Sequence, residues 1–262
     1  MARRLAAVYA HPDDDTYSLG GTLALGQGNV EYTLIVATSG EAGVISDPSL
    51  ATSETLAQVR EQEERDSLSA LGSGEATIHF LRYPDGGLTD VPRGELVGRI
   101  AEVLREAGPQ VVATFGPEGV TKHEDHVAIH QAATEAFHEA RATSKQDGAF
   151  QRLLYTALPQ SHLDRFWQQL RERGVELGDP EAPFMPRGVP DHTIAVQVDC
   201  RSVVSRKLAA IRAHRTQQME LEYLPEDLQP ELLGKESFVQ AWPPVADPRG
   251  PTVSGVFEGL ED

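Results

Sequence analysis

A chain of 262 residues with a formal charge of −17 and a single cysteine is long enough to bury a sizeable core without a covalent staple. Its acidic balance argues against tracking a phosphate backbone or docking on an anionic leaflet, which need an excess of Lys and Arg, so no nucleic-acid partner and no membrane insertion are expected. With Cys200 alone, an internal disulfide and a Cys-rich zinc site are excluded, and any metal must be held by His, Asp or Glu.

Met1–Arg4 is positive and runs into six apolar residues, Leu5–Ala10, too few for the apolar region of a signal peptide. No later stretch approaches the roughly 18 apolar residues of a membrane span, and a cytoplasmic protein is expected. Leu5–Tyr9 reads as a buried parallel strand, followed at once by Ala10-His11-Pro12-Asp13-Asp14-Asp15. Ligands in open α/β sheets bind just beyond the carboxyl ends of such strands, and a histidine with three neighbouring carboxylates suits a cation.

A helix through Thr22–Leu25 is closed by Gly26 and Gly28, and Val30–Ala37 is the next strand, with the loop Thr38–Gly43 at its carboxyl end. From Glu54 to Leu71 a helical stripe of Leu56, Val59, Leu68 and Leu71 predicts an amphipathic helix, whose charges Arg60, Glu61, Glu63, Glu64 and Arg65 are expected to face solvent for the most part. A strand at Ala76–Leu81 precedes the turn Tyr83–Leu88, which puts Asp85 beyond another strand end. A helix over 93–107 and a strand at Gln110–Phe115 follow. The loop Gly116–Lys122 then leads to His123-Glu124-Asp125-His126 and a helix over 127–142.

After a break at 144–148, a strand is predicted near Leu153–Ala157 and a helix near His162–Arg173. Pro180, Pro183, Pro186 and Pro190 punctuate a loop of a kind that often covers an active site. His192–Val198 alternates as a strand, and Arg201–Met219 is helical. The Pro-rich tail from Pro225 is expected to pack over the surface as extended chain and turns, within one domain spanning 1–262.

His11 and Asp14 lie where a strand turns into a helix and can aim at one point, with His126 as a third donor from a neighbouring junction. Two His and one carboxylate with an open position is a catalytic zinc pattern. Asp13 is placed to take a proton from water as general base, and His123, one helical turn before His126, to donate to a developing oxyanion or leaving amine.

Ala-His-Pro-Asp-Asp-Asp with Gly-Gly-Thr-Leu downstream, and Phe-Gly-Pro-Glu-Gly with His-Glu-Asp-His, resemble the LmbE-like (PIG-L) superfamily of metal-dependent N-deacetylases. Val59–Glu63, Tyr83–Gly86 and Lys207–Gln217 also look like family segments, so the resemblance covers most of the chain. It implies a Rossmann-like α/β fold, a mostly parallel sheet with helices on both faces and the active site at the carboxyl ends of the strands. The implied reaction is hydrolysis of an N-acetyl group from an N-acetylglucosamine-type conjugate, usually with Zn²⁺, though the donor set also accepts Fe²⁺ or another divalent metal. Carried over, it assigns His11, Asp14 and His126 to the metal, Asp13 to acid–base work, His123 to transition-state stabilisation, and Arg60 and Asp85 to the sugar.

Two departures stand out: Lys122 and Glu124 flank His123 where the family often has Gly and Pro, and Thr121 stands where some sugar deacetylases have a carbonyl-polarising tyrosine. The partner is expected to be a small amino-sugar substrate, and a homo-oligomer is compatible with the sequence. An amidase acting on a larger thiol or sugar conjugate, and a non-catalytic sugar- or nucleotide-binding module on the same fold, are the rival readings. His79 reads as packed or exposed, His130 as a helix-face or supporting histidine, and Asp15 as a helix-starting carboxylate. His192 and His214 are weaker candidates for the pocket. Gly20-Gly21 lacks the Gly-x-Gly-x-x-Gly context of a dinucleotide loop.

Overall fold

After Arg4, the first strand contains no charged side chain, and Leu5, Ala6, Ala7, Val8 and Tyr9 are each at most 1% exposed. That is the pattern of a strand covered on both faces, where apolar runs replace alternation. The computed structural model describes residues 2–175, 179, 182, 184–218, 225–246 and 248–261. Among them, the strands are β1 (Arg3–Tyr9), β2 (Val30–Thr38), β3 (Thr77–Tyr83), β4 (Val111–Phe115), β5 (Arg152–Pro159), β6 (Gly188–Val189), β7 (Val196–Asp199) and β8 (Lys235–Trp242). The α-helices are α1 (Asp14–Leu25), α2 (Leu56–Leu71), α3 (Arg93–Ala107), α4 (Glu124–Thr143), α5 (Gln160–Glu172), α6 (Val204–Ala213) and α7 (Gln229–Leu233).

The main path of the sheet runs β3-β2-β1-β4-β5-β8-β7, with β6 paired to the end of β5. The first five strands are parallel, and β8 is antiparallel to both its neighbours. Since parallel crossovers are right-handed by rule, the run from β1 through α1 and α2 to β3 puts these helices on one face, and the return through α3 to β4 puts α3 and α4 on the other. Accordingly α1, α2 and α6 pack together, as do α3 and α4. The α/β fold expected from the alternation is the one observed.

Three segments depart from the sequence reading. Residues 235–242 do not lie over the surface: Phe238 is fully buried and β8 bonds to β5 and β7 on its two edges. Later residues do pack as turns, with Arg152 donating to the carbonyls of Val256 and Glu258. The predicted strand from His192 begins only at Val196, because Asp191–Thr193 forms a 3-10 turn behind Pro190. The helical segment from Arg201 ends at Ala213, since the Thr216 N–H and hydroxyl are captured by Glu63 at 2.9 and 2.7 Å; Met219 lies outside the described residues.

The charges of α2 were the larger surprise. Arg60, Glu63 and Glu64 are 4%, 2% and 0% exposed, because each finds a polar partner on another segment rather than solvent. A second buried ionic group fixes α1 to the C-terminal half. Glu236 accepts from the Gly21 and Thr22 amides, the Thr22 hydroxyl and Lys207 Nζ, all at 2.6–2.8 Å. A Cβ on Gly21 would lie 2.4 Å from Cys200 Sγ, so this glycine serves close packing.

Candidate metal centre

Strands β1 and β4 are neighbours, yet the chain leaves them in opposite directions, β1 towards β2 and β4 towards β5. Loops leaving such a switch point diverge and open a crevice at the carboxyl ends of the strands. His11 and Asp14 enter it from the β1–α1 junction, and His123, Asp125 and His126 from the start of α4. Residues more than a hundred positions apart are thus brought together by adjacent strands.

Both junctions are held in unusual backbone conformations. Asp13 adopts φ 101° and ψ −28° at the N-cap of α1, and Asp14 Oδ2 folds back to accept the His11 amide at 2.8 Å. In the β4–α4 loop Gly119, Val120 and Lys122 all have φ 60°. Lys122, standing where the family often has glycine, therefore keeps the left-handed backbone that glycine adopts freely, at a cost of about 1–2 kcal/mol. Strain of this kind concentrates at functional sites.

Donors from three residues converge, with Asp14 facing each histidine through a different carboxylate oxygen. His11 Nδ1 lies 3.2 Å from His126 Nε2 and 3.6 Å from Asp14 Oδ2, while His126 Nε2 lies 3.5 Å from Asp14 Oδ1. Ligands placed at about 2.0–2.1 Å around a tetrahedral ion are separated by roughly 3.3 Å, which is close to each of these separations. The tautomers also suit it. His126 Nδ1 donates to the Gly119 carbonyl at 2.9 Å, leaving the Nε2 lone pair for the centre. The far nitrogen of His11, Nε2, lies 3.0 Å from Asp85 Oδ1 and 3.4 Å from Asp125 Oδ2, carboxylates that favour its proton there and a lone pair on Nδ1.

Electrostatics point the same way. Burial opposes ionisation of Asp14, but His126 and His11 outweigh it and bring the carboxyl to about 2, so it is an anion. Burial lowers His126 below the ordinary histidine range, against the pull of Asp14. Burial works against protonation of His11 as well, yet Asp125, Asp14 and Asp85 together hold it well above that range without a cation present. A buried site holding an excess of anionic groups fits a divalent ion.

His123 also offers a nitrogen within 4.8 Å of His11 and His126. It is the N-cap of α4, however, and its Nδ1 accepts the Asp125 amide at 3.2 Å. In the neutral ring the proton then sits on Nε2, which leaves that nitrogen able to donate. Burial and the neighbouring His11 and His126 lower its pKa, which favours that neutral form.

Arg60 and Asp85 lie beside the centre in unexpected ways. The buried Arg60 guanidinium donates to the carbonyls of Gly40 and Pro12 at 3.0 and 2.7 Å and to Asp13 Oδ2 at 3.0 Å. Asp85 backs His11 and accepts the Ala42 amide at 2.9 Å. The Thr121 hydroxyl lies 3.4 Å from His126 Nδ1, behind that ring. His130 donates Nδ1 to the Phe115 carbonyl at 2.8 Å, a supporting role, and His214 is buried with Nε2 3.2 Å from Thr16 Oγ1. His192 is exposed in the turn before β7, and His79 lies on the edge strand β3.

Asp15 lies in the first turn of α1 but is fully buried, accepting the Tyr32 hydroxyl at 3.1 Å, and burial first of all raises its pKa to about 6. Sequence reasoning singled out neither Asp125 nor Glu64. Asp125 is 0% exposed, takes the Gly86 and Leu88 amides at 2.7 and 3.0 Å, and so ties the turn after β3 to His11. Its signal was its place within His-Glu-Asp-His. The long-range partner of Glu64 had no such signal.

Fold and geometry together define an α/β protein in which His11, Asp14 and His126 gather, buried, at a sheet switch point. The chain belongs to the PIG-L family, GlcNAc-PI de-N-acetylase, whose profile matches residues 6–137. It is 33% identical to a 1D-myo-inositol 2-acetamido-2-deoxy-α-D-glucopyranoside deacetylase of Kineococcus radiotolerans, over 82% of this chain and 69% of that protein. It is 32% identical to the protein of the same name from Tsukamurella paurometabola, over 83% and 84%.

Among solved structures, the N,N'-diacetylchitobiose deacetylase of Pyrococcus horikoshii superposes with a TM-score of 0.59 at 24% identity, covering 91% of this chain and 84% of that one. The 4-carboxy-2-hydroxymuconate hydratase of Pseudomonas putida superposes at 0.63 with 20% identity, covering 94% and 98%. The fold alone therefore hosts more than one chemistry.

Proposed function

We propose that this chain is a metal-dependent deacetylase that hydrolyses the acetamide of an N-acetylglucosaminyl conjugate to acetate and the free amine. The observation carrying this reading is the convergence of His11 Nδ1, Asp14 and His126 Nε2, with His126 Nδ1 bonded to the Gly119 carbonyl and the Asp85 carboxylate 3.0 Å from His11 Nε2. These three would hold the ion, with Zn²⁺ the expected occupant and Fe²⁺ compatible with the same donors. A divalent ion there supplies Lewis-acid polarisation of the acetamide carbonyl and makes water acidic enough to act near neutral pH.

The chain's own residues do the rest. Asp13 takes one proton from the attacking water as its oxygen bonds to the carbonyl carbon. His123 Nε2–H donates to the oxygen on which negative charge develops. When the C–N bond breaks, Asp13 returns its proton to the departing nitrogen, so the step is balanced in protons. Asp85 and Asp125 keep His11 oriented rather than meeting the reacting atoms.

The 2-acetamido-2-deoxyglucopyranosyl inositol named in the relatives is the first substrate to test, beside a panel of N-acetylglucosaminyl conjugates with other aglycones, assayed for amine release. Purified protein is expected to hold about one divalent ion per chain and to lose activity by at least about 100-fold in Asp13→Asn and His126→Ala. Protein that binds no divalent ion, or variants that turn over like the parent, would overturn the reading.

A further inference from the structure

We propose that Arg60 and Glu64 are positioning residues that hold Asp13 out of a helix-capping role and in its catalytic one. The proposal rests on the deacetylase reading for what Asp13 does, but its geometry is independent of any substrate.

Asp is among the residues preferred at a helix N-cap, where its carboxylate ordinarily accepts an amide of the first turn. Asp13 occupies that position in α1, yet its side chain makes no capping bond. Its backbone sits at φ 101°, a conformation that costs a non-glycine residue free energy and needs support from outside. The support comes from one face of α2. Glu64 Oε2 accepts the Asp13 amide at 3.0 Å, and Arg60, one turn earlier, binds Asp13 Oδ2 at 3.0 Å. Side chains at i and i+4 share a helix face, so main chain and carboxylate are gripped from the same element.

Both gripping groups are buried, Arg60 to 4% and Glu64 to 0% exposure. Arg60 is itself anchored on the Pro12 and Gly40 carbonyls at 2.7 and 3.0 Å, so its guanidinium cannot follow a mobile carboxylate. Burying an arginine and a glutamate is unfavourable unless they are bonded, and each of the two has Asp13 among its partners. The geometry therefore assigns Arg60 to the base, where the family resemblance implied a sugar contact.

The test compares Glu64→Met, Glu64→Gln and Arg60→Met with the parent in steady-state amine release, metal titration and crystal structures. Glu64→Met and Arg60→Met are expected to lower kcat roughly 10- to 100-fold, the cost of a slightly misplaced catalytic group, with KM and metal affinity within about 3-fold of the parent. Glu64→Gln keeps an acceptor oxygen for the Asp13 amide and is expected to stay within about 5-fold of the parent. In an Asp13→Ala background neither substitution on α2 should slow the residual rate further.

Additive losses in that background would overturn the proposal, since a general packing defect persists without the base. A rise in KM at unchanged kcat in Arg60→Met would overturn the assignment of Arg60. The crystal structures decide independently: Asp13 is expected to leave its left-handed conformation or to cap α1 in Glu64→Met and Arg60→Met. An unmoved Asp13 in both refutes the proposal even if no amino-sugar conjugate is turned over, an outcome that would instead remove the deacetylase reading.

Discussion

Replacing Gly119 by alanine should weaken metal binding although Gly119 contributes no ligand atom. Its φ of 60° lies in the left-handed region, which costs alanine about 1–2 kcal/mol. A Cβ there would also sit 2.6 Å from His126 Cβ and 3.2 Å from the Val127 amide nitrogen, against ordinary contact at 3.4–4 Å. Either the loop or the first turn of α4 must give way, and both movements lengthen the 2.9 Å bond from His126 Nδ1 to the Gly119 carbonyl. Losing such support from behind a metal-bound histidine typically lowers affinity 10- to 100-fold, or about 1.4–2.7 kcal/mol. Calorimetric Zn²⁺ titration in competition with a chelator reads this directly. Gly28→Ala is the control, because Gly28 shares the positive φ but has nothing within 4 Å of an added Cβ. If Gly119→Ala binds Zn²⁺ as tightly as Gly28→Ala, the carbonyl does not set the His126 tautomer and the reasoning fails.

Lys207→Met removes the cation from the fully buried Glu236 and should cost about 3–5 kcal/mol, seen in urea melts with unchanged m-value. His214 is held at about 3 chiefly by burial and next by the Arg60 guanidinium, with Asp14 opposing. The unfolded chain, with histidine near 6.5, thus binds more protons than the native state between these values. Stability from the neutral ring is fully present above about pH 6.5 and is lost as pH falls from there towards 3. Melts from pH 7 to pH 4.5 should therefore show a smaller loss of Tm in His214→Asn than in the parent. Equal slopes would show that His214 does not report the buried environment described.

The legible part of this protein was its local grammar. Apolar runs such as Leu5–Tyr9 and Val111–Phe115 announced buried parallel strands, and the polar clusters that follow them announced where donors would gather. The pairing of His11 and Asp14 with His126 could be anticipated because adjacent strand–helix junctions lie on one sheet edge by rule. The C-terminal strand β8 could not, since whether a short segment joins a sheet depends on which edge is open when the rest has folded.

The same limit governs the charges. A helical period tells which residues share a face, and the polar face of α2 read as solvent-facing; it is the return of the β1–α1 turn and of Thr216 onto that face that buries Arg60, Glu63 and Glu64. Asp85 likewise was visible as a residue beyond a strand end, while its place behind His11 Nε2 was not. Sequence by itself determined the strand and helix signals and the residue types able to hold a cation. Tertiary structure decided the tautomers, the orientation of each carboxylate and the grip on Asp13, because these depend on which distant groups meet once the sheet is assembled and water is excluded.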